Sequence, residues 1–128
     1  MSIGSEAESG RRDVFNSDCP AREVLDHITS RWAVLVLVAL KDGPLRFYEL
    51  RDRVDGISEK MLSQNLRVLS RDGLLERTVE PTVPPKVSYT LSSIGREGVQ
   101  HLCELTKWIA RTAPEIKAAQ ERHDRASE

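Results

Sequence analysis

The chain has 128 residues, 39% of them hydrophobic and 30% charged, with a formal net charge of −1, which is the balance of one soluble domain with a real core. Near neutrality excludes a protein that coats nucleic acid through bulk charge, and the absence of eighteen consecutive apolar residues excludes a membrane-spanning helix. The N-terminal stretch lacks a basic-then-apolar signal pattern, so a cytoplasmic location is expected.

Residues 1–17 are polar and carry little periodicity, which predicts a flexible N-terminal arm in which only Val14 and Phe15 could dock. Asp18-Cys19-Pro20 then reads as a helix start with Pro20 in the first helical position. Val24, Leu25 and Ile28 give this first helix a short apolar stripe, and it ends at Thr29-Ser30. Trp32 to Leu40 is apolar throughout. Periodicity alone allows a buried strand or a buried helix there, but Lys41-Asp42-Gly43-Pro44 supplies the cation, glycine and proline that close a helix. Leu45-Arg46 leaves room only for a very short strand. Phe47, Leu50 and Val54 predict a helix facing inward, and Asp55-Gly56-Ile57 a tight turn after it.

The stretch from Ser58 to Asp72 organises the rest. Ile57, Leu62, Leu66 and Leu69 form an apolar stripe, while Lys60, Ser63, Gln64, Arg67 and Arg71 recur with the same period on another face. Ser58 is placed to cap the helix, and Arg71-Asp72-Gly73 to end it. Ser, Gln, Lys and Arg are the side chains that reach base edges and phosphates in a major groove, although a merely solvated face has the same composition. Two helices joined by a few residues that include glycine make a helix-turn-helix.

The period then switches to two. Leu75, Arg77 and Val79 share one side of a strand, and Val87, Tyr89 and Leu91 alternate likewise. Pro81, Pro84 and Pro85 stiffen the connection and keep it out of the ladder. Helix, helix, hairpin is the order of a winged helix-turn-helix, with the wing at about 74–91 and Lys86 near its tip. From Ser92 or Ser93 a long helix is expected to about Thr112, with Val99, Leu102, Leu105 and Ile109 in one stripe and Trp108 beside it. A polar helical tail over 113–128 restarts at Pro114. The predicted fold is therefore mainly α with a small β-hairpin wing (α+β), residues 18–112 forming a winged helix-turn-helix domain with N- and C-terminal dimerisation helices. The C-terminal stripe exceeds what a small winged domain needs, so a homodimer is expected.

No catalytic centre is legible. His27, His101 and His123 are scattered, and Cys19 and Cys103 form neither a metal-ligand pattern nor a disulfide framework, so no enzyme, metal or cofactor is expected. Between Lys41 and Tyr89 nine Lys/Arg face eight Asp/Glu, so DNA binding must rest on how charge is arranged. A winged helix used only for protein–protein contact is the rival reading.

The ordered series Cys19-Pro20, Leu25 to Trp32, Asp42 to Leu50, Ile57 to Leu62, Leu66 to Leu69, Asp72 to Arg77, Val83 to Val87, Tyr89-Thr90-Leu91 and Gly95 resembles the HxlR-type family of winged helix-turn-helix bacterial regulators. It departs from the family's habit at Thr29-Ser30-Arg31, where glycines and a lysine are common, and at Ser88, where an acidic residue is common. The resemblance implies a homodimeric transcription factor on inverted-repeat operators, often a repressor, with double-stranded DNA as partner. A small-molecule inducer between the dimer helices is left open, since no residue set marks its pocket. On this reading Ser58, Lys60, Ser63, Gln64 and Arg67 approach DNA, with Lys60 on phosphate by default. Lys86 meets neighbouring backbone or minor groove, and Arg46 either clamps phosphate or pairs with Glu49. Some members sense oxidants or electrophiles through a cysteine at the position of Cys19. A helix N-terminus favours a thiolate there, Asp18 opposes it, and a structural role is the alternative.

Overall fold

The computed structural model describes residues 13–127; positions 1–12 of the expected arm and position 128 of the tail lie outside them. Along the described chain run α1 (Pro20–Ile28), α2 (Ala33–Ala39), β1 (Leu45–Arg46), α3 (Phe47–Arg53), α4 (Glu59–Arg71), β2 (Leu75–Glu80), β3 (Lys86–Leu91) and α5 (Ser93–Ser127).

The apolar stretch around Val36 is a helix, and everything else packs on it. Ala33, Val36, Leu37 and Leu40 are buried against Leu50 and Val54 of the α3 segment, Leu62, Leu66 and Leu69 of α4, Leu75 and Leu91 of the sheet, and Val99 of α5. Each side chain of Leu or Val size removed from water in this way contributes about 1.5–3 kcal/mol, which is why a run of nine apolar residues ends at the centre of the domain. The inward face of α3 and the Ile57-Leu62-Leu66-Leu69 stripe of α4 are buried as the periodicity predicts, with Phe47 partly so.

Arg46 is the N-cap of α3, and its backbone N–H donates to Glu49 Oε1 at 2.9 Å. The reciprocal half of a capping box is absent, because a guanidinium offers no acceptor to a backbone N–H. Gly56, at φ 89°, makes the turn between α3 and α4 in a conformation that side-chain-bearing residues rarely adopt. Ser58 caps α4, its hydroxyl accepting from the Met61 N–H at 3.1 Å.

The sheet is antiparallel in the order β1-β3-β2. The two-residue strand β1 therefore completes the hairpin as a third strand, with Leu45 opposite Tyr89 and Arg46 opposite Ser88. Across the hairpin Leu75 faces Leu91, Arg77 faces Tyr89 and Val79 faces Val87, so these six share one side of the sheet.

Along the first helix Ile28 packs partly buried against the core, while Leu25 is 42% exposed. One expectation needs correction. The C-terminal helix does not break before Pro114 but runs unbroken from Ser93 to Ser127, roughly 52 Å at 1.5 Å per residue. Pro114 removes one N–H from the ladder, leaving the Ala110 carbonyl without its intrahelical donor. That stretch is exposed, so water can take the carbonyl, and good helix formers on both sides carry the helix through. Only Gly95 and Val99 of α5 are buried; Leu105, Trp108, Ile109 and Ile116 are exposed.

Candidate nucleic-acid interface

The outward face of α4 is polar because its inward face is fully used. Leu62, Leu66 and Leu69 are at most 2% exposed. Lys60, Ser63, Gln64 and Arg67 occupy an arc of about 100° on the opposite side, and all four are exposed. Ser58 lies exposed at the cap. Arg46 is exposed at the start of α3, and Lys86 is exposed at the first residue of β3. Arg46 and Glu49 meet through the Arg46 backbone, and among the described residues no ion pair joins their side chains. The structure thus presents the α4 candidates on one surface, with Lys86 set apart on the wing.

The helix carrying this face is held at both ends. At its first turn Glu59 Oε1 accepts from Arg51 Nη1 at 2.7 Å, while the Arg51 guanidinium sits 4.7 Å from the Tyr48 ring centre. That hydrogen bond to Glu59 raises the Arg51 pKa above its ordinary value; burial opposes the shift and the charge of Asp52 adds to it. Glu59, an acid in the first turn of α4, is thereby turned toward α3. At the other end His27 Nδ1 lies 2.6 Å from Asp72 Oδ2, and the Asp72 side chain is nearly buried. A carboxylate can only accept, so Nδ1 carries the proton. Glu23 extends the link, 3.7 Å from His27 Nε2 and 3.8 Å from Arg71 Nη1. The sequence reading missed both anchors, since they join residues distant in the chain or on different helices.

Between α4 and the wing lies an open cleft of about 360 Å³, lined by Ser63, Arg67 and Ser70 from α4 and by Arg77 and Tyr89 from the sheet. Arg77 was not among the sequence candidates. Its signal was present, however: in the period-two pattern it falls on the same side as Leu75 and Val79, a cation where an apolar residue would be expected. Cys19 is at the N-cap of α1, as expected, and is 3% exposed. Cys103 is half-buried on α5, in a groove it shares with Lys41, Arg96 and His101. Among the described residues no group of three His, Cys, Asp or Glu is arranged to hold a metal ion.

A helix-turn-helix whose second helix turns a polar, cation-bearing face to solvent, followed by an antiparallel wing, defines a winged helix-turn-helix DNA-binding regulator. The HxlR-like helix-turn-helix family matches residues 27–117, and the chain belongs to it. It is 43% identical over 121 residues to the HTH-type transcriptional regulator YtfH of Escherichia coli (strain K12), covering 94% of each chain. The solved structure of the transcriptional regulator ytfH from Salmonella typhimurium superposes with a TM-score of 0.79 at 47% identity, covering 85% of this chain and 97% of that one. The redox regulator HypR in its oxidised form superposes with a TM-score of 0.68 at 34% identity, covering 73% of this chain and 96% of that one. The protein is accordingly a transcriptional regulator that binds DNA, not an enzyme, and among the described residues no helix is long and apolar enough to cross a membrane.

Proposed function

We propose that the protein is a cytoplasmic homodimeric repressor that places the α4 helix of each protomer in the major groove of an inverted-repeat operator. The observation that carries this is the exposed Lys60-Ser63-Gln64-Arg67 face, set opposite three buried leucines on a helix anchored at both ends. Gln64 pairs with a base, for which adenine offers the matching donor and acceptor edge. Lys60 and Arg46 contact phosphates, and Lys86 reaches the backbone beside the wing. Ser58 both caps α4 and stands close to the DNA.

The dimer is supported by what the domain leaves uncovered. Leu105, Ile109 and Ile116 are exposed at spacings of four and seven, the period of a coiled-coil seam along α5, and Leu25 adds apolar surface on α1. A second copy of the chain is the partner that covers such a seam twice by one symmetry operation. Two α4 helices would then stand about 34–36 Å apart, one turn of DNA.

Cys19 is the proposed redox switch, supported by its place at the start of α1 and by the likeness to a redox regulator. Its burial requires the flanking chain to open before an oxidant reaches the sulfur.

Fluorescence anisotropy with a duplex from the intergenic region beside the gene tests the reading. Gln64→Ala is expected to lower affinity and relax sequence preference, at a cost of about 1–3 kcal/mol. Unchanged affinity in both Gln64→Ala and Lys60→Ala would refute the placement of α4. Diamide treatment is expected to release DNA from the native chain but not from Cys19→Ser.

A further inference from the structure

We propose that the cleft between α4 and the wing is a seat for one DNA-backbone phosphate, with Arg77 as a DNA-contacting residue that closes on it together with Arg67. The inference rests on the groove placement of α4 proposed above and assigns a partner to a surface that placement leaves unexplained.

Four observations converge. First, Arg67 and Arg77 line one concavity from opposite walls, one from the helix and one from the sheet, with the hydroxyls of Ser63 and Ser70 beside them. Second, neither guanidinium has a carboxylate within ion-pair distance among the described residues, whereas Arg51 is paired with Glu59 and Arg71 lies near Glu23. Two like charges facing one cleft repel unless an anion lies between them. Third, the cross-strand register puts Arg77 opposite Tyr89, on the side of the sheet that Leu75 and Leu91 turn to the core. The period-two alternation thus directs its side chain toward α4 rather than to bulk solvent on the far face. Fourth, both arginines are exposed, and Phe47 and Tyr89 line the cleft beside them, so the two cations are accessible to a ligand entering from solvent.

An anion with several oxygens and tetrahedral geometry suits two guanidinium forks and two hydroxyl donors. When α4 lies in a major groove, one backbone strand bordering that groove passes between helix and wing, and supplies that anion. The consequence is a division of labour. Arg67 is held on phosphate, so base discrimination falls to Gln64.

The test measures affinity for the intergenic duplex and for a composition-matched scrambled duplex, each at several salt concentrations. Arg77→Ala is expected to weaken both about tenfold or more, and to reduce the slope of log affinity against log salt by about one per protomer. Arg67→Ala should do the same, while Gln64→Ala should weaken only the specific duplex. Arg77→Gln guards against a folding artefact, since it keeps a polar stem on the strand; a melting temperature equal to the native one qualifies it. Unchanged affinity and salt slope in a folded Arg77→Gln, or a loss confined to the specific duplex, would overturn the proposal. If Gln64→Ala and Lys60→Ala still weaken binding in that case, the groove placement stands and only the phosphate seat is lost. If none of the variants changes binding, the placement itself is wrong.

Discussion

A methyl group added at Gly95 would test how α5 is joined to the rest of the domain. The Cβ of an alanine there would sit 2.1 Å from the Leu74 carbonyl oxygen and 3.1 Å from its carbon. Ordinary contact begins near 3.4 Å, so the helix or the start of the wing must move by about 1.3 Å. The same carbonyl accepts from the Ser92 N–H at 3.0 Å, while the Ser92 hydroxyl donates to Gly73 O at 2.6 Å and accepts from the Gly95 N–H at 3.0 Å. A shift of that size breaks at least one of these bonds. Overpacking against a backbone atom costs about 1–3 kcal/mol, and each lost hydrogen bond about 0.5–1.5 kcal/mol. The better helix propensity of alanine returns about 1 kcal/mol. Gly95→Ala should therefore destabilise the protein by about 0.5–3.5 kcal/mol, a fall in melting temperature of roughly 2–18 °C for a chain of this size. Gly98→Ala is the matched control: it is in the same helix, nothing lies within 4 Å of its added carbon, and it should stabilise by about 0.5–1 kcal/mol. Melting by circular dichroism at one fixed protein concentration gives both numbers. A Gly95→Ala protein that melts with, or above, the native chain would refute the packing argument.

The link between α1 and the end of α4 predicts a measurable coupling: a double-mutant cycle of His27→Ala and Asp72→Asn in urea unfolding should return about 0.5–3 kcal/mol, and additivity would mean that the 2.6 Å contact contributes nothing. Pro114→Ala restores the N–H that the Ala110 carbonyl lacks and should strengthen α5 by up to about 3 kcal/mol, seen as higher helical ellipticity or a later transition. A loss of ellipticity there would show that the proline is favoured by a contact outside the helix.

The elements around the core were legible because each carries its own local punctuation. Ser58 before Glu59, Gly56 in the turn and Gly43-Pro44 after the apolar helix mark boundaries through backbone chemistry alone, and the leucine stripe of α4 fixes which face turns outward. Pro114 misled for the same reason. A local rule says that proline ends a helix, yet the exposed stretch between Ala110 and Pro114 lets solvent satisfy the orphaned carbonyl. What escaped the sequence was contact at a distance. His27 and Asp72 are 45 positions apart, and no spacing rule connects them. Arg77 read as an ordinary strand residue until the fold brought Arg67 to the other wall of its cleft. The arrangement of charge, rather than its sum, was what the near-neutral composition concealed.

The anchoring of α4 restricts how such a regulator can be switched. With a serine cap and the Arg51–Glu59 pair at one end, the His27–Asp72 contact at the other and three leucines beneath, this segment has no hinge of its own. An effector would have to carry the whole headpiece with it. In the proposed dimer, release from an operator would then be a matter of respacing or tilting two intact heads, not of melting α4.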